Sequence, residues 1–224
     1  MIEILNLSKH FFINDKRIDV LKELNLSIKK DKITVILGRS GCGKTTLLRL
    51  IARLEGVSLG EINFKEQAKI GFVFQEPRLM PFLNVYENIV FVLKKYEIEA
   101  TKIDSLISMI GLSDFKFATV SQLSGGMSSR VSLARVLAYE ANLILMDEPF
   151  AALDAFTRAS MQAEILKIQA GKTIIFVTHN VDEALYLADE IILLEKGGMK
   201  SNYDLSNLAK PRDLLCDELI NLKR

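Results

Sequence analysis

The sequence predicts an α/β fold with a mainly parallel sheet, an N-terminal antiparallel β layer and a helical subdomain inserted in the core. Three observations predict it. Short alternating runs fill residues 1–30, apolar strand-like runs separated by helical patterns begin at residue 33, and residues 84–140 are almost entirely of helical periodicity. At 224 residues, 49% hydrophobic and 25% charged, the chain has room for one compact domain.

The elements follow in order. Ile2–Leu7 and Arg17–Ile28 read as strands around the polar turn Asn14-Asp15-Lys16, and Glu61-Ile62-Asn63-Phe64 is a further short alternating run. Ile33–Leu37 is β-branched and apolar, as a buried strand requires, and Leu47, Leu48, Leu50, Ile51 and Leu54 follow at helical spacing. Ile70–Phe74, Leu143–Met146, Thr173–Val177 and Glu190–Leu194 complete the set expected of a parallel sheet. Within 84–140, one apolar face is Val85, Ile89, Val92 and Leu93. A second is Ile103, Leu106, Ile107 and Ile110, closed by Gly111, and a third is Val131, Leu133, Ala134 and Leu137. Residues 199–224 read as a short C-terminal tail, polar until Pro211, where Leu214, Leu215, Leu219 and Leu222 suggest a terminal helix.

Between the strand at 33–37 and the helix that follows lies Gly38-Arg39-Ser40-Gly41-Cys42-Gly43-Lys44-Thr45-Thr46, which matches GxxxxGK[ST] in the required strand-loop-helix order. The glycines let backbone N–H groups turn toward a phosphate, and the helix N-terminus adds partial positive charge. Lys44 is expected to reach the β- and γ-phosphates and Thr45 to give its hydroxyl to Mg²⁺. The core is thus expected to be that of a P-loop NTPase.

Leu143-Ile144-Leu145-Met146 runs into Asp147-Glu148, which suits a buried strand delivering carboxylates at its C-terminal edge. Asp147 is the candidate metal ligand, and Glu148 the candidate base that orients the attacking water. Ser124-Gly125-Gly126 opens another helix, with Ser124 as N-cap and N–H groups at the positive end of the dipole, a second anion site. One nucleotide's phosphates are already engaged by Gly38–Thr46, so the second site is expected to close over a nucleotide held by another subunit.

Bulk properties narrow the function further. The net charge of +1 and sequence pI near 7.7 argue against an extended nucleic-acid surface. Cys42 and Cys216 read as reduced thiols of a cytosolic protein, since a disulfide at Cys42 would distort the glycine loop. The N-terminus lacks the pattern of a signal peptide, and no run approaches the ~18 apolar residues of a membrane span.

The ordered set, the glycine loop, Gln75, Leu123-Ser124-Gly125-Gly126-Met127, Asp147-Glu148, Ala152-Leu153-Asp154 and His179, resembles the ATP-binding subunits of ABC transporters over nearly the whole chain. Phe74–Phe82, Met146–Asp154 and Val177–Ala184 resemble the importer branch serving nitrate, sulfonate, taurine and thiamine-precursor uptake. The resemblance implies one ABC-type ATPase domain over 1–224. It implies ATP and Mg²⁺ as cofactors, a dimer around two ATP molecules and ATP hydrolysis that drives a membrane permease. It further implies Phe11 (with Phe12 as the alternative) as the ring stacking on adenine, and Gln75 as a contact to Mg²⁺ or the attacking water. Asp154 becomes the acid communicating across the dimer interface, and His179, at a strand end, the hydrogen-bond partner of the γ-phosphate. The permease is expected on the helical subdomain around Pro77–Tyr96, and a solute-binding protein acts only indirectly. The chain is placed peripherally at the cytoplasmic face of the membrane.

Two departures stand out: Met127 where glutamine is usual, and Ser128-Ser129 before Arg130. The rival functions are a soluble ABC-type ATPase acting on nucleic acid or ribosomes, and a non-hydrolysing regulator. Against the first stand the near-neutral charge and the missing coiled coil, and against the second the intact Glu148 and His179.

Overall fold

The computed structural model describes residues 1–205, and Cys216 and the expected terminal helix after Pro211 lie outside the described residues. The chain divides into two compact units, one formed by Met1–Ala68 with the segment from Gly171 onward, the other by Lys69–Ala170.

The first unit begins with β1 (Ile2–Ile13), β2 (Lys16–Ile28) and, later, β4 (Leu59–Phe64), an antiparallel sheet in the order β2-β1-β4. Asn14 and Asp15 both take positive φ (48° and 61°), the two-residue turn whose twist suits a hairpin and which Asn and Asp tolerate best. β2 matches its expected span to within one residue, whereas β1 is longer than the apolar alternation suggested, because it continues through register shifts near Asn6 (φ 49°) that break the period-two pattern. β3 (Ile33–Leu37) is wholly buried, with β7 (Thr173–Thr178) and β8 (Glu190–Glu195) parallel to it on either side. The stretch after Gly197 carries no apolar run, yet β9 (Gly198–Asp204) pairs antiparallel with β8. It is a polar edge strand, turned back through Lys196 and Gly197, both at positive φ.

Among the described residues, two helices pack in this unit. α1 (Lys44–Ile51) buries Leu47, Leu48, Leu50 and Ile51, while Leu54, on the same apolar pattern, falls beyond the helix and is exposed. The helix stops because Arg53 adopts φ 58°, and Leu54 N–H donates to Arg49 O (2.9 Å) and Arg53 N–H to Leu50 O (3.0 Å), the reversal that closes many helices. The last, α6 (Val181–Leu187), is capped by the Asn180 side chain and packs on β3.

In the second unit β5 (Ile70–Val73) runs parallel to β6 (Leu143–Asp147). Three helices, α2 (Val85–Val90), α3 (Ala100–Met109) and α4 (Gly125–Ala138), share an apolar cluster of Val85, Ile89, Ile103, Ile107, Val131 and Ala134 with their neighbours. α2 is shorter than its apolar pattern, so Val92 lies past its end and is exposed. Gly111 (φ 65°) ends the α3 turn as expected. A fourth helix, α5 (Ala155–Ile168), follows β6.

The approach of α4 to β5 rests on Gly71, where an added Cβ would sit 2.5 Å from Val136 Cγ1 and 2.9 Å from Ala141 Cβ. Gly71→Ala is therefore expected to destabilise the protein by about 1–3 kcal/mol through overpacking, read as a lower urea midpoint with unchanged slope.

Candidate nucleotide site

The glycine loop emerges from the buried end of β3 and runs into α1. Gly38 has no room for a side chain: a Cβ would lie 2.4 Å from Leu194 O and 2.7 Å from Cys42 Sγ. Gly43, the N-cap of α1, combines φ 105° with a Cβ position 2.8 Å from Leu21 Cδ2. Only glycine fits either position, so the backbone is held with its amides at the start of a helix whose first turn carries no acid to oppose the dipole. Lys44 is 5% exposed and folds back over the loop, its Nζ donating to Gly38 O (2.8 Å) and Arg39 O (2.9 Å). Thr45 and Thr46 occupy the first turn behind it, with Arg39, Ser40 and Gly41 on the exposed rim. Cys42 is a free, buried thiol whose pKa is pushed up by burial.

Strand register decides what joins this loop. Leu37 is paired with Thr178, so Gly38 and His179 leave adjacent parallel strands at the same edge. His179 is exposed there, while Thr178 is buried and donates its hydroxyl to Glu183 (2.7 Å). On the β1–β2 hairpin Phe11 is half-buried with the Lys9 ammonium 4.5 Å from its ring centroid, and Phe12, the alternative, is 68% exposed.

The second unit carries the remaining candidates, and the same reasoning applies. Val73 pairs with Met146, which places Gln75 just beyond the end of β5 and Asp147-Glu148 at the matching end of β6. Gln75 is exposed, Asp147 is 3% exposed at the tip of β6, and Glu148 is half-buried. Glu148 holds φ 46°, a left-handed conformation uncommon for a residue with a Cβ, as the chain turns and Ala151 N–H donates to Glu148 O (3.2 Å).

Ser124 caps α4 as expected, its Oγ accepting from Met127 N–H (3.2 Å), and both Ser124 and Gly125 are exposed. Gly126 is pinned against the segment that leads to Asp154: its Cβ position lies 3.1 Å from Leu153 Cδ2 and 3.2 Å from Ala152 O. Asp154 is the N-cap of α5, accepting from Phe156 and Thr157 N–H (3.0 Å each), and the hydrogen bond from Thr157 holds its carboxyl below the usual range. The departures have a structural reading. Met127 packs against the helical cluster, and Ser129 donates to Gly125 O (3.1 Å) within the first turn.

Three residues were not singled out from the sequence. Asn88 is fully buried and bonds Met80 N–H and the carbonyls of Met80, Leu83 and Asn84, fixing the segment after Gln75. Its signal was present as a polar residue within the apolar stripe beside Val85 and Ile89. Arg135 NH1 donates to Arg78 O (2.9 Å) in the same segment, and Arg130 NH1 donates to Ile110 O (2.6 Å) at the end of α3. Met80 O and Asn84 O keep backbone donors, so Asn88→Leu strips its partner from Met80 N–H and Leu83 O and is expected to cost about 1–3 kcal/mol for each, seen as a lowered thermal midpoint.

The ABC transporter family profile matches residues 21–151. An uncharacterized ABC transporter ATP-binding protein of Methanocaldococcus jannaschii is 41% identical over all of this chain and 88% of its own. An aliphatic sulfonates import ATP-binding protein of Bacillus cereus is 38% identical over all of this chain and 93% of its own. A spermidine/putrescine import ATP-binding protein of Spiroplasma citri is 41% identical over 89% of this chain and 60% of its own. Among solved structures, a dimeric post-hydrolysis ATP-binding cassette bound to ADP and Pi superposes with a TM-score of 0.85 at 30% identity, covering 92% of this chain and 99% of that one. With the glycine loop, the Ser124-capped start of α4 and these relatives in view, the chain belongs to the ABC transporter family, as one of its ATP-binding proteins.

Proposed function

We propose that the protein is the ATP-hydrolysing subunit of a membrane importer, working as a homodimer that closes around two ATP molecules. The observation that carries the reading is the phosphate cradle. Gly38 and Gly43 are sterically forced, Lys44 is folded over the loop, and the helix dipole is unopposed. In this reading Gly38–Thr46 holds the triphosphate of one ATP and Phe11 offers a ring face to its base. Ser124, Gly125 and Gly126 of the second copy close over the γ-phosphate, with Asp154 acting across the interface.

Hydrolysis takes ATP and water to ADP and phosphate. Glu148 accepts a proton from the attacking water, Lys44 balances the charge that grows on the phosphoryl oxygens, and His179 donates to the γ-phosphate. Gln75 contacts the water or the metal and leads into the segment held by Asn88. Among the described residues no group of three or more His, Cys, Asp and Glu forms a metal site. The hydroxyl of Thr45, the amide of Gln75 and the carboxylate of Asp147 are the hard oxygen donors that suit Mg²⁺, whose remaining ligands come from phosphate and water. Bound there, Mg²⁺ supplies charge neutralisation.

In this reading the helical portion around 84–140 meets the permease. Phe82 is 76% and Phe91 53% exposed on the segment proposed for that contact, apolar rings suited to a protein partner. The reading places the chain peripherally at the cytoplasmic face of the membrane; no helix among the described residues is long and apolar enough to cross one. The solute is proposed to be small and anionic or heterocyclic, delivered by a separate binding protein; the sulfonate-import relatives support the anionic class, and the spermidine/putrescine relative does not. The direct test is phosphate release with ATP and Mg²⁺ by the purified chain. Lys44→Ala is expected to abolish it, and absence of release in the wild-type chain, alone and with its permease, would reduce the protein to a nucleotide-binding regulator.

A further inference from the structure

We propose that Lys9 is the positioning residue that sets the Phe11 ring for the purine base and ties that ring to the far end of the phosphate-loop helix. The inference rests on the base-stacking reading of Phe11. Lys9 is a cation with only 8% of its surface exposed, an arrangement disfavoured unless its charge and donors are met. They are met from three directions. Nζ donates to Glu55 Oε1 and to Gly56 O, both at 2.8 Å, and stands 4.5 Å from the centroid of Phe11.

Those contacts join separate parts of the chain. Phe11 lies two residues along β1 from Lys9, on the same face of the strand. Glu55 and Gly56 lie just past the turn that ends α1, the helix that opens with Lys44. A second bond on the same side, from His10 N–H to Ser58 Oγ (3.2 Å), holds β1 to this segment. The ammonium therefore covers one face of the Phe11 ring, and in the base-stacking reading the opposite face takes the base. A cation on one face also draws π density toward it, which favours an electron-rich purine on the opposite face. Loss of Lys9 frees the ring to rotate and separates base recognition from the loop that holds the phosphates.

The test measures equilibrium binding of ATP and of inorganic tripolyphosphate, which has no base, to the intact chain and its variants. Lys9→Met is expected to weaken ATP about 3- to 10-fold and leave tripolyphosphate unchanged. Lys9→Arg, which keeps the charge and the ring contact, restores ATP affinity. Phe11→Ala is expected to weaken ATP comparably, and adding Lys9→Met to it costs nothing more, because the two act as one unit. If Lys9→Met weakens both ligands, or its effect adds fully to that of Phe11→Ala, or ATP binding is unchanged while Phe11→Ala weakens it, Lys9 does not position the ring. If Phe11→Ala binds ATP as tightly as the wild type, the stacking reading itself fails and takes the Lys9 proposal with it.

Discussion

Glu148→Gln is expected to lower ATP turnover by about 10²- to 10⁴-fold while leaving ATP binding intact. Glutamine keeps the length and shape of glutamate and tolerates the same backbone, so the turn that holds Glu148 at φ 46° survives. What it loses is the ability to take a proton from water. With binding preserved and hydrolysis blocked, the ATP-bound dimer should accumulate and elute as a dimer in gel filtration with ATP present. The wild type should return to monomer as hydrolysis proceeds. Turnover within a few-fold of wild type would remove Glu148 from the role of base.

The second large effect concerns the shared nature of the site. Ser124→Arg places a long cation where exposed N–H groups and a hydroxyl are expected to meet a partner's γ-phosphate, and it should abolish turnover while one ATP still binds per chain. Lys44→Ala should abolish turnover from the other side. Mixing the two inactive variants is the decisive measurement. In a mixed dimer, one nucleotide has the intact loop of the Ser124→Arg chain and the intact cap of the Lys44→Ala chain, and the other has both defects. Random pairing makes half the dimers mixed, so activity should return to about one quarter of wild type, as expected when two identical patches exchange residues across a twofold axis. Mixtures that remain inactive would show that each chain completes its own site.

Much of this was legible in the sequence because the deciding physics is local. A glycine loop between a buried strand and an amphipathic helix admits few conformations, and the steric limits at Gly38 and Gly43 are those the motif implied. Ser124 and Asp154 are caps that a reader of helix starts could expect. The features that escaped depend on partners distant in sequence. Asn88 looks like an interruption of an apolar stripe until the turns of backbone it satisfies are seen. Lys9 lies in an ordinary alternating strand, and its Glu55 partner is 46 residues away. The length of β1 was hidden by bulges, and β9 by its polar composition, since paired backbone rather than side-chain burial makes it a strand.

That last strand has a consequence for the behaviour of the chain in a crowded cell. A parallel sheet of buried apolar residues such as Ile191, Ile192, Leu193 and Leu194 would, if β8 were its border, offer open amides flanked by apolar side chains to any passing strand. The short hairpin through Lys196 and Gly197 lays Gly198–Asp204 along that border instead, with Lys200 and Asp204 on it, in ion pairs with Glu195 (3.5 Å) and Lys29 (2.6 Å). A polar, charged margin of this kind discourages edge-to-edge growth between copies. In the proposed dimer the copies then meet through the surfaces proposed to hold nucleotide rather than through their sheets.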